Sequence, residues 1–138
     1  MLEQVHAYAV QKGLDDVHFI DSVPQNELPS LYKQSDLFLL PTRYEIFGMV
    51  LLEAMYFGVP VMTYSAAGPL DVIDDGIDGI VMRDFNAEHW IETIEDHLFV
   101  RQNTKTMGVA ASNKVKHSYL WDVLAERYAK AYESILHN

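Results

Sequence analysis

Two glutamates and one glycine stand out in residues 41–53, which read P-T-R-Y-E-I-F-G-M-V-L-L-E. We expect Glu45 in a loop, Gly48 in the first turn of the helix that follows, and Glu53 about two turns further on. The first N–H groups of a helix lack partners within the helix and lie at the positive end of its dipole, so they attract phosphate. Gly48 has no Cβ and would let a ligand approach the backbone closely.

The spacing of the two carboxylates indicates the size of ligand that they could hold. Residues 45 and 53 are roughly 12 Å apart if the stretch between them is wholly helical. A sugar diphosphate has a similar reach, so each carboxylate could bind hydroxyl groups on one side of the phosphates. Spacing alone favours a simpler alternative, in which Glu45 is a charge stabilised by the helix dipole and Glu53 is an ordinary helical residue.

Two observations weaken this simpler alternative. Glycine early in a helix, as at Gly48, costs stability relative to alanine. Glu53 also lies inside an otherwise apolar run, and a buried charge needs a partner. The sequence therefore keeps a ligand site at the start of this helix as a hypothesis.

The segments around this site alternate between strand and helix patterns. Short apolar runs predict strands at 17–20, 37–40, 60–64 and 80–82. Helical spacing, caps and stop signals predict helices before Gly13, after Asn26, over 47–57, up to Ile73, after Asn86, over 105–117 and over 121–136. The run 37–40 is wholly apolar and is followed by Pro41, which is typical of a strand buried on both faces.

This alternation predicts an α/β fold with a parallel sheet and helices on both faces. Right-handed crossovers place every strand-to-helix loop at one edge of such a sheet. Ligands bind at that edge, beyond the carboxyl ends of the strands. We therefore expect the site among the loops 21–26, 41–46 and 64–68.

Composition excludes several classes of protein. The chain has 138 residues, 49% of them hydrophobic, which suits one folded domain and excludes intrinsic disorder. The net charge of -10 argues against a nucleic-acid partner, which normally meets a basic face. Without cysteine there is no disulfide framework and no thiolate metal site. The chain shows neither a membrane-spanning segment nor a signal peptide, so we expect a cytoplasmic domain.

A longer run around the glutamates resembles a known family. It reads L-Y-K-Q-S-D-L-F-L-L-P-T-R-Y-E-I-F-G-M-V-L-L-E-A-M-Y-F-G-V-P-V-M and is similar to the C-terminal domain of the retaining, GT-B glycosyltransferases of family 4. The flanking V-H-F-I, A-A-G-P-L-D-V-I-D-D-G-I-D-G-I-V and W-D-V-L-A-E-R-Y-A-K-A-Y fit the same family, so the resemblance covers about residues 15–136.

The resemblance implies a fold and a domain organisation. The fold would be a Rossmann-like parallel sheet, the C-terminal half of a GT-B fold without its first elements. The chain would be a single, N-terminally truncated nucleotide-sugar-binding domain, with a Rossmann-like body over about 1–118 and a C-terminal helix over 119–138.

The resemblance also implies roles for individual residues. Glu53 would bind the ribose hydroxyls of a nucleotide sugar, and Glu45 would contact the donor sugar and is the candidate catalytic residue. The backbone N–H groups at the helix start would hold the diphosphate, within the donor-binding segment Ile46, Phe47, Gly48, Met49 and Val50. The base would be covered by Ser22 and Val23, with Leu28 behind them.

The implied reaction transfers a hexose from a UDP- or GDP-sugar to a glycan or lipid acceptor with retention of configuration. Protein groups rather than a metal would stabilise the leaving diphosphate, so no metal cofactor is expected. The family's phosphate-binding Arg and Lys and its acceptor-binding N-terminal domain would precede Met1. We therefore expect this chain alone to be inactive and its parent protein to associate with membranes, if at all, through that domain. The alternative is a non-catalytic binding or regulatory subunit with the same fold.

Other chemistries are weaker candidates. Asp74, Asp75 and Asp78 lack EF-hand spacing and fit ordinary turn chemistry better than a metal site. The six histidines show no catalytic or metal-binding spacing. A phosphoacceptor receiver domain needs an aspartate at the end of a central strand, where Leu40 is followed by Pro41 and Thr42.

Overall fold

A computed structural model describes residues 2–99 and 101–136, which form helices around a small parallel sheet. The elements in chain order are α1 (Leu2–Lys12), α2 (Leu28–Gln34), β1 (Phe38–Leu40), α3 (Met49–Tyr56), β2 (Val61–Tyr64), α4 (Ala67–Val72), β3 (Ile80–Met82), α5 (Ala87–Phe99), α6 (Arg101–Ser118) and α7 (Trp121–Leu136). Of the predicted domain span, Met1, Val100, His137 and Asn138 lie outside the described residues.

The three strands pair in the order β1-β2-β3 and all are parallel. Side chains alternate between the two faces of the sheet, and each face has its own apolar cluster. On one face, Val61 and Val81 pack with Leu51 and Met55 of α3. On the other, a cluster joins the strands to α5 and α6: Met62, Ile80, Met82, Trp90 and Met107. The predicted parallel sheet with helices on both faces is confirmed.

The predicted strand at 17–20 is wrong. The segment has no regular secondary structure, although its apolar residues gave it the composition of a strand. A strand exists only where its backbone pairs with a neighbour, and the sheet of the described residues consists of β1, β2 and β3 alone.

The prediction of a strand at 37–40 buried on both faces is also wrong in part. The strand β1 forms over Phe38–Leu40, but Leu39 is 42% exposed. Leu39 pairs in register with Met62, so it lies on the face that Trp90 covers further along the sheet. Because β1 is at the edge of the described sheet, the apolar cluster around Trp90 does not shield Leu39 from solvent.

Local signals located every helix of the described residues, but the predicted starts of two are wrong: α3 begins at Met49 rather than 47, and α6 begins at Arg101 rather than 105. Asn86 caps α5, since its side-chain Oδ1 accepts a hydrogen bond from the Glu88 backbone N–H at 2.9 Å. Asn26 does not cap α2: the helix begins at Leu28 after Glu27 and has no side-chain cap. The reason is a turn at Pro24, whose carbonyl already accepts the N–H groups of Glu27 and Leu28.

The helix α3, which carries the predicted site, is held at its far end by two glycines. Gly58 ends the helix with a left-handed φ of 77°, and its N–H donates to the Met55 carbonyl at 2.9 Å. A Cβ on Gly108 of α6 would lie 2.1 Å from the Gly58 carbonyl oxygen. Only glycine allows α6 to approach α3 this closely, so the position of α3 is set by backbone contact.

The aspartates of the turn before β3 bind protein groups, as the turn interpretation predicts. Asp78 is buried, and its carboxylate accepts the Asp74 N–H at 2.8 Å. The ammonium group of Lys114 on α6 lies 2.9 Å from Asp74 and 2.8 Å from Asp78. Asp75 accepts the Val81 N–H at 2.9 Å. This network joins the turn to α6.

Candidate functional site

The loops that follow β1 and β2 meet at the carboxyl edge of the sheet, as predicted for 41–46 and 64–68. The Gly68 N–H donates to the Glu45 carbonyl at 3.3 Å. A Cβ on Gly68 would lie 2.3 Å from both the carbonyl carbon and the oxygen of Ile46 and 2.4 Å from the Phe47 nitrogen. Gly68, in the first turn of α4, is therefore a site residue that sequence reasoning missed, and α4 can lie this close to the loop after β1 because Gly68 has no side chain.

The Glu45 carboxylate binds two backbone N–H groups immediately before α3. The Phe47 and Gly48 N–H groups donate to Glu45 Oε1 at 3.2 and 3.0 Å. Two of the three N–H groups expected to hold a diphosphate are thus bound to a carboxylate of the same loop. The simpler alternative, a charge that stabilises the helix start, describes this contact correctly.

Gly48 lies one step earlier than predicted. It is the N-cap of α3 rather than a residue of the first turn, and its φ of 84° is in the left-handed region. That conformation strains any residue with a side chain, which explains why a glycine is placed here. A Cβ would also lie 2.8 Å from the Leu51 Cδ1.

Glu53 is exposed on α3, although its neighbours Leu52 and Ala54 are buried. The argument that its charge must be buried is therefore wrong: successive residues of a helix are rotated by about 100° from one another, so an exposed position can lie between two buried ones. Its carboxylate nevertheless has a partner: the Tyr32 hydroxyl on α2 donates to Glu53 Oε2 at 3.0 Å.

Tyr32 is a second residue of the site that sequence reasoning missed. Its side chain is 8% exposed, with its ring stacked on Phe57 and edge-on to Phe38, both centroids at 5.8 Å. Burial, followed by the hydrogen bond to Glu53 and the charge of that carboxylate, raises the pKa of Tyr32 to about 12. The hydroxyl thus stays protonated and donates to Glu53 at neutral pH. A tyrosine on an apolar helical stripe was the available signal, since a buried hydroxyl needs a partner.

Two of the three residues expected around a base share a cleft beside α2. Ser22 and Val23 line a cleft of about 310 Å³, with Ser30 and Leu31 of α2 on its other side. Leu28 lies behind, packed against the cluster that contains Tyr32. The cleft and Glu53 therefore contact the same helix, α2.

A second depression lies where the three strands end. It encloses about 410 Å³ between the loops after β1 and β3 and is lined by Arg43, Tyr44, Tyr64, Asp84 and Phe85. The Arg43 guanidinium lies 4.6 Å from the Phe85 ring centroid. The loop after β3 was not among the predicted site loops. Because this loop also follows a parallel strand, it lies at the same edge of the sheet.

The family Glycosyl transferases group 1 matches residues 1–114. The chain belongs to this family. Among its relatives are spore coat protein SA of Bacillus subtilis, 32% identical over 91% of this chain, and a D-inositol 3-phosphate glycosyltransferase of Corynebacterium diphtheriae, 31% identical over 84%. These alignments span 33% and 27% of those proteins, respectively.

Solved structures show the fold of this glycosyl transferase group 1 domain. HepE of Anabaena, in complex with UDP-glucose, matches with a TM-score of 0.84 and 22% identity, over 96% of this chain and 36% of HepE. The predicted fold class, a Rossmann-like parallel sheet from the C-terminal half of a GT-B glycosyltransferase, is confirmed. The chain spans about a third of the proteins that it matches.

Within 2–99 and 101–136, no three or more His, Asp or Glu side chains converge in a way that could hold a metal ion. Over the same ranges, no helix of the glycosyl transferase group 1 domain is both long and apolar enough to cross a membrane.

Proposed function

We propose that this chain is the donor-binding domain of a retaining glycosyltransferase that transfers a hexose from a UDP- or GDP-sugar to a glycan or lipid acceptor. The observation that carries the proposal is a pair of carboxylates near the start of α3, Glu45 in the loop before the helix and Glu53 about one turn into it, each bound by a hydrogen bond. It is supported by the family of the chain and by the UDP-glucose complex of HepE, which has the same fold.

Glu53 binds the ribose in this proposal. Tyr32 occupies Oε2 of the carboxylate, so Oε1 can accept a hydrogen bond from a ribose hydroxyl. Hydrogen bonds to an ionised carboxylate are stronger than neutral ones. Ser22 and Val23 line the cleft for the base, and Leu28, the first residue of α2, packs behind them against the apolar cluster that contains Tyr32.

The helix start binds the diphosphate. The N–H groups of Phe47, Gly48 and Met49 donate to it, and Ile46 and Val50 flank it. Because Glu45 occupies two of these N–H groups, the diphosphate exchanges with that carboxylate. Once released, Glu45 contacts the donor sugar, where catalysis takes place. The N–H groups and the helix dipole stabilise the leaving diphosphate, and no metal is required.

The remaining parts of the proposal concern the whole protein. The chain is one nucleotide-sugar-binding domain, with its body over about 1–118 and a C-terminal helix over 119–138. An N-terminal domain binds the acceptor, so this chain alone is inactive. The protein acts in the cytoplasm, with any membrane association supplied by that domain.

Isothermal titration of the full-length protein with UDP and GDP tests the proposal. We expect Glu53→Gln to weaken binding of the preferred nucleotide roughly 10- to 100-fold, since hydrogen bonds to charged groups contribute about 1.5–3 kcal/mol. Glu95→Gln removes another exposed carboxylate, on α5, and should leave Kd unchanged.

Two results would count against the proposal. One is a full-length protein that binds neither nucleotide, and the other is an unchanged Kd in Glu53→Gln. Nucleotide binding without turnover of any nucleotide sugar would favour the non-catalytic subunit instead. The anomeric configuration of a product, read by NMR, tests retention.

A further inference from the structure

Tyr32 has two parts with different surroundings. Its ring lies in the core between Phe38 and Phe57, a place that a phenylalanine would fill equally well. Its hydroxyl reaches out of that core to the exposed Glu53 carboxylate at 3.0 Å. Packing therefore explains the ring, and only the contact with Glu53 explains the hydroxyl.

The contact joins two elements that are distant in the sequence. Tyr32 and Glu53 are 21 positions apart, on α2 and α3. An exposed glutamate on a helix normally samples several rotamers, and binding a ligand then requires that this freedom be lost. A hydrogen bond from a buried, rigid donor selects one orientation before the ligand arrives.

The direction of this hydrogen bond does not change near neutral pH. Burial and the neighbouring carboxylate raise the pKa of Tyr32 to about 12, so the phenol keeps its proton. An ionised Glu53 can only accept. One carboxylate oxygen is therefore committed to Tyr32 and the other remains for a ligand.

We propose that Tyr32 is a positioning residue that orients the Glu53 carboxylate toward the ribose hydroxyls of the nucleotide. This inference rests on the proposed function, in which Glu53 binds the ribose. Tyr32 itself does not touch the nucleotide; its hydroxyl acts only through Glu53. The contribution of that hydroxyl depends on a ligand with ribose hydroxyls and on an intact Glu53.

The test is a double-mutant cycle in the full-length protein. Tyr32→Phe keeps the ring and removes the hydroxyl. We expect it to weaken binding of UDP or GDP about 3- to 10-fold, in line with the net free-energy contribution of one hydrogen bond. Its effect should fall below twofold for the 2′,3′-dideoxy nucleotide and also in a Glu53→Gln background. Tyr56→Phe changes a tyrosine whose ring also packs against Phe57 and should leave Kd unchanged.

The outcomes separate this inference from the proposed function. An equal loss of affinity for the ribose and dideoxy ligands, or an undiminished loss in Glu53→Gln, would mean that the hydroxyl supports structure only and would overturn positioning. A Glu53→Gln effect without any Tyr32→Phe effect would overturn positioning and leave the proposed function standing. An unchanged Kd in Glu53→Gln would overturn both. Thermal unfolding of each variant confirms that it is folded.

Discussion

Glu45 and Glu53 lie on the same stretch of chain, yet they are held in different ways. Glu45 belongs to a loop whose neighbours Tyr44 and Ile46 are 92% and 95% exposed, and its carboxylate binds N–H groups two and three positions away. Glu53 lies on a helix packed into the core and is bound by Tyr32 from another helix. The first contact is local, and the second is tertiary.

This difference indicates which carboxylate can change partners. An anion at the start of α3 competes directly with Glu45 for the same N–H groups, so ligand and side chain exchange there. At Glu53 a ligand uses the oxygen that Tyr32 leaves free, so the existing hydrogen bond persists. We therefore expect Glu45 to move when a donor binds and Glu53 to stay in place.

The largest effect should come from Gly68→Ala, which would displace the loop that contains Glu45. The new Cβ would meet backbone atoms of Ile46 and Phe47 at 2.3–2.4 Å, so the loop must shift and the N–H groups lose their arrangement. We expect nucleotide affinity to fall more than tenfold and stability to fall by about 1–3 kcal/mol, as for other overpacked sites. Titration calorimetry and urea unfolding measure the two effects.

Gly108→Ala is the matched control for this substitution. Its Cβ would lie 2.1 Å from the Gly58 carbonyl, a similar backbone clash at the other end of α3. We expect a comparable loss of stability with a change in Kd of less than threefold while the protein is folded. Equal losses of affinity in both variants would show that the Gly68 effect is not specific to the Glu45 loop.

A smaller effect is expected from Glu45→Ala, which removes the competitor for the N–H groups. Inorganic pyrophosphate should bind this variant about two- to fivefold more tightly than the wild type, because it no longer displaces a carboxylate whose contribution is about 0.3–1 kcal/mol. Glu53→Gln should leave pyrophosphate binding unchanged. Weaker pyrophosphate binding by Glu45→Ala than by the wild type would contradict the exchange.

The smallest effect is a pH dependence confined to the Glu53 side. The folded-state pKa of Tyr32, about 12, is above the ordinary value of 10, so folding favours the protonated phenol. The resulting stabilisation is complete below pH 10 and is lost as the pH rises from about 10 to 12. NMR of the labelled tyrosine ring should show a lower Tyr32 pKa in Glu53→Gln, still raised by burial, and no change in Glu45→Gln. Equal shifts in both variants would contradict the separation of the two carboxylates.

Local patterns predicted much of the fold. The strand predicted at 60–64, which forms over Val61–Tyr64, the helix end at Gly58 and the Asn86 cap depend on residues close together in the sequence, and the structure contains all three. The strand at 17–20 failed because pairing requires a neighbouring strand, which composition cannot supply. Leu39 was misjudged because its exposure depends on how far α5 extends across the sheet, a property of the packed molecule.

By itself the sequence determined the α/β alternation, the family and the placement of Glu45, Gly48 and Glu53 along one loop and helix. These follow from residue type and short spacing, which control helix starts, caps and periodic burial. Only the tertiary structure decided that Gly68 places the start of α4 against the Glu45 loop and that Tyr32 binds Glu53. Both contacts join residues more than twenty positions apart, and such pairs meet only when the packing of whole helices and strands brings their backbones together.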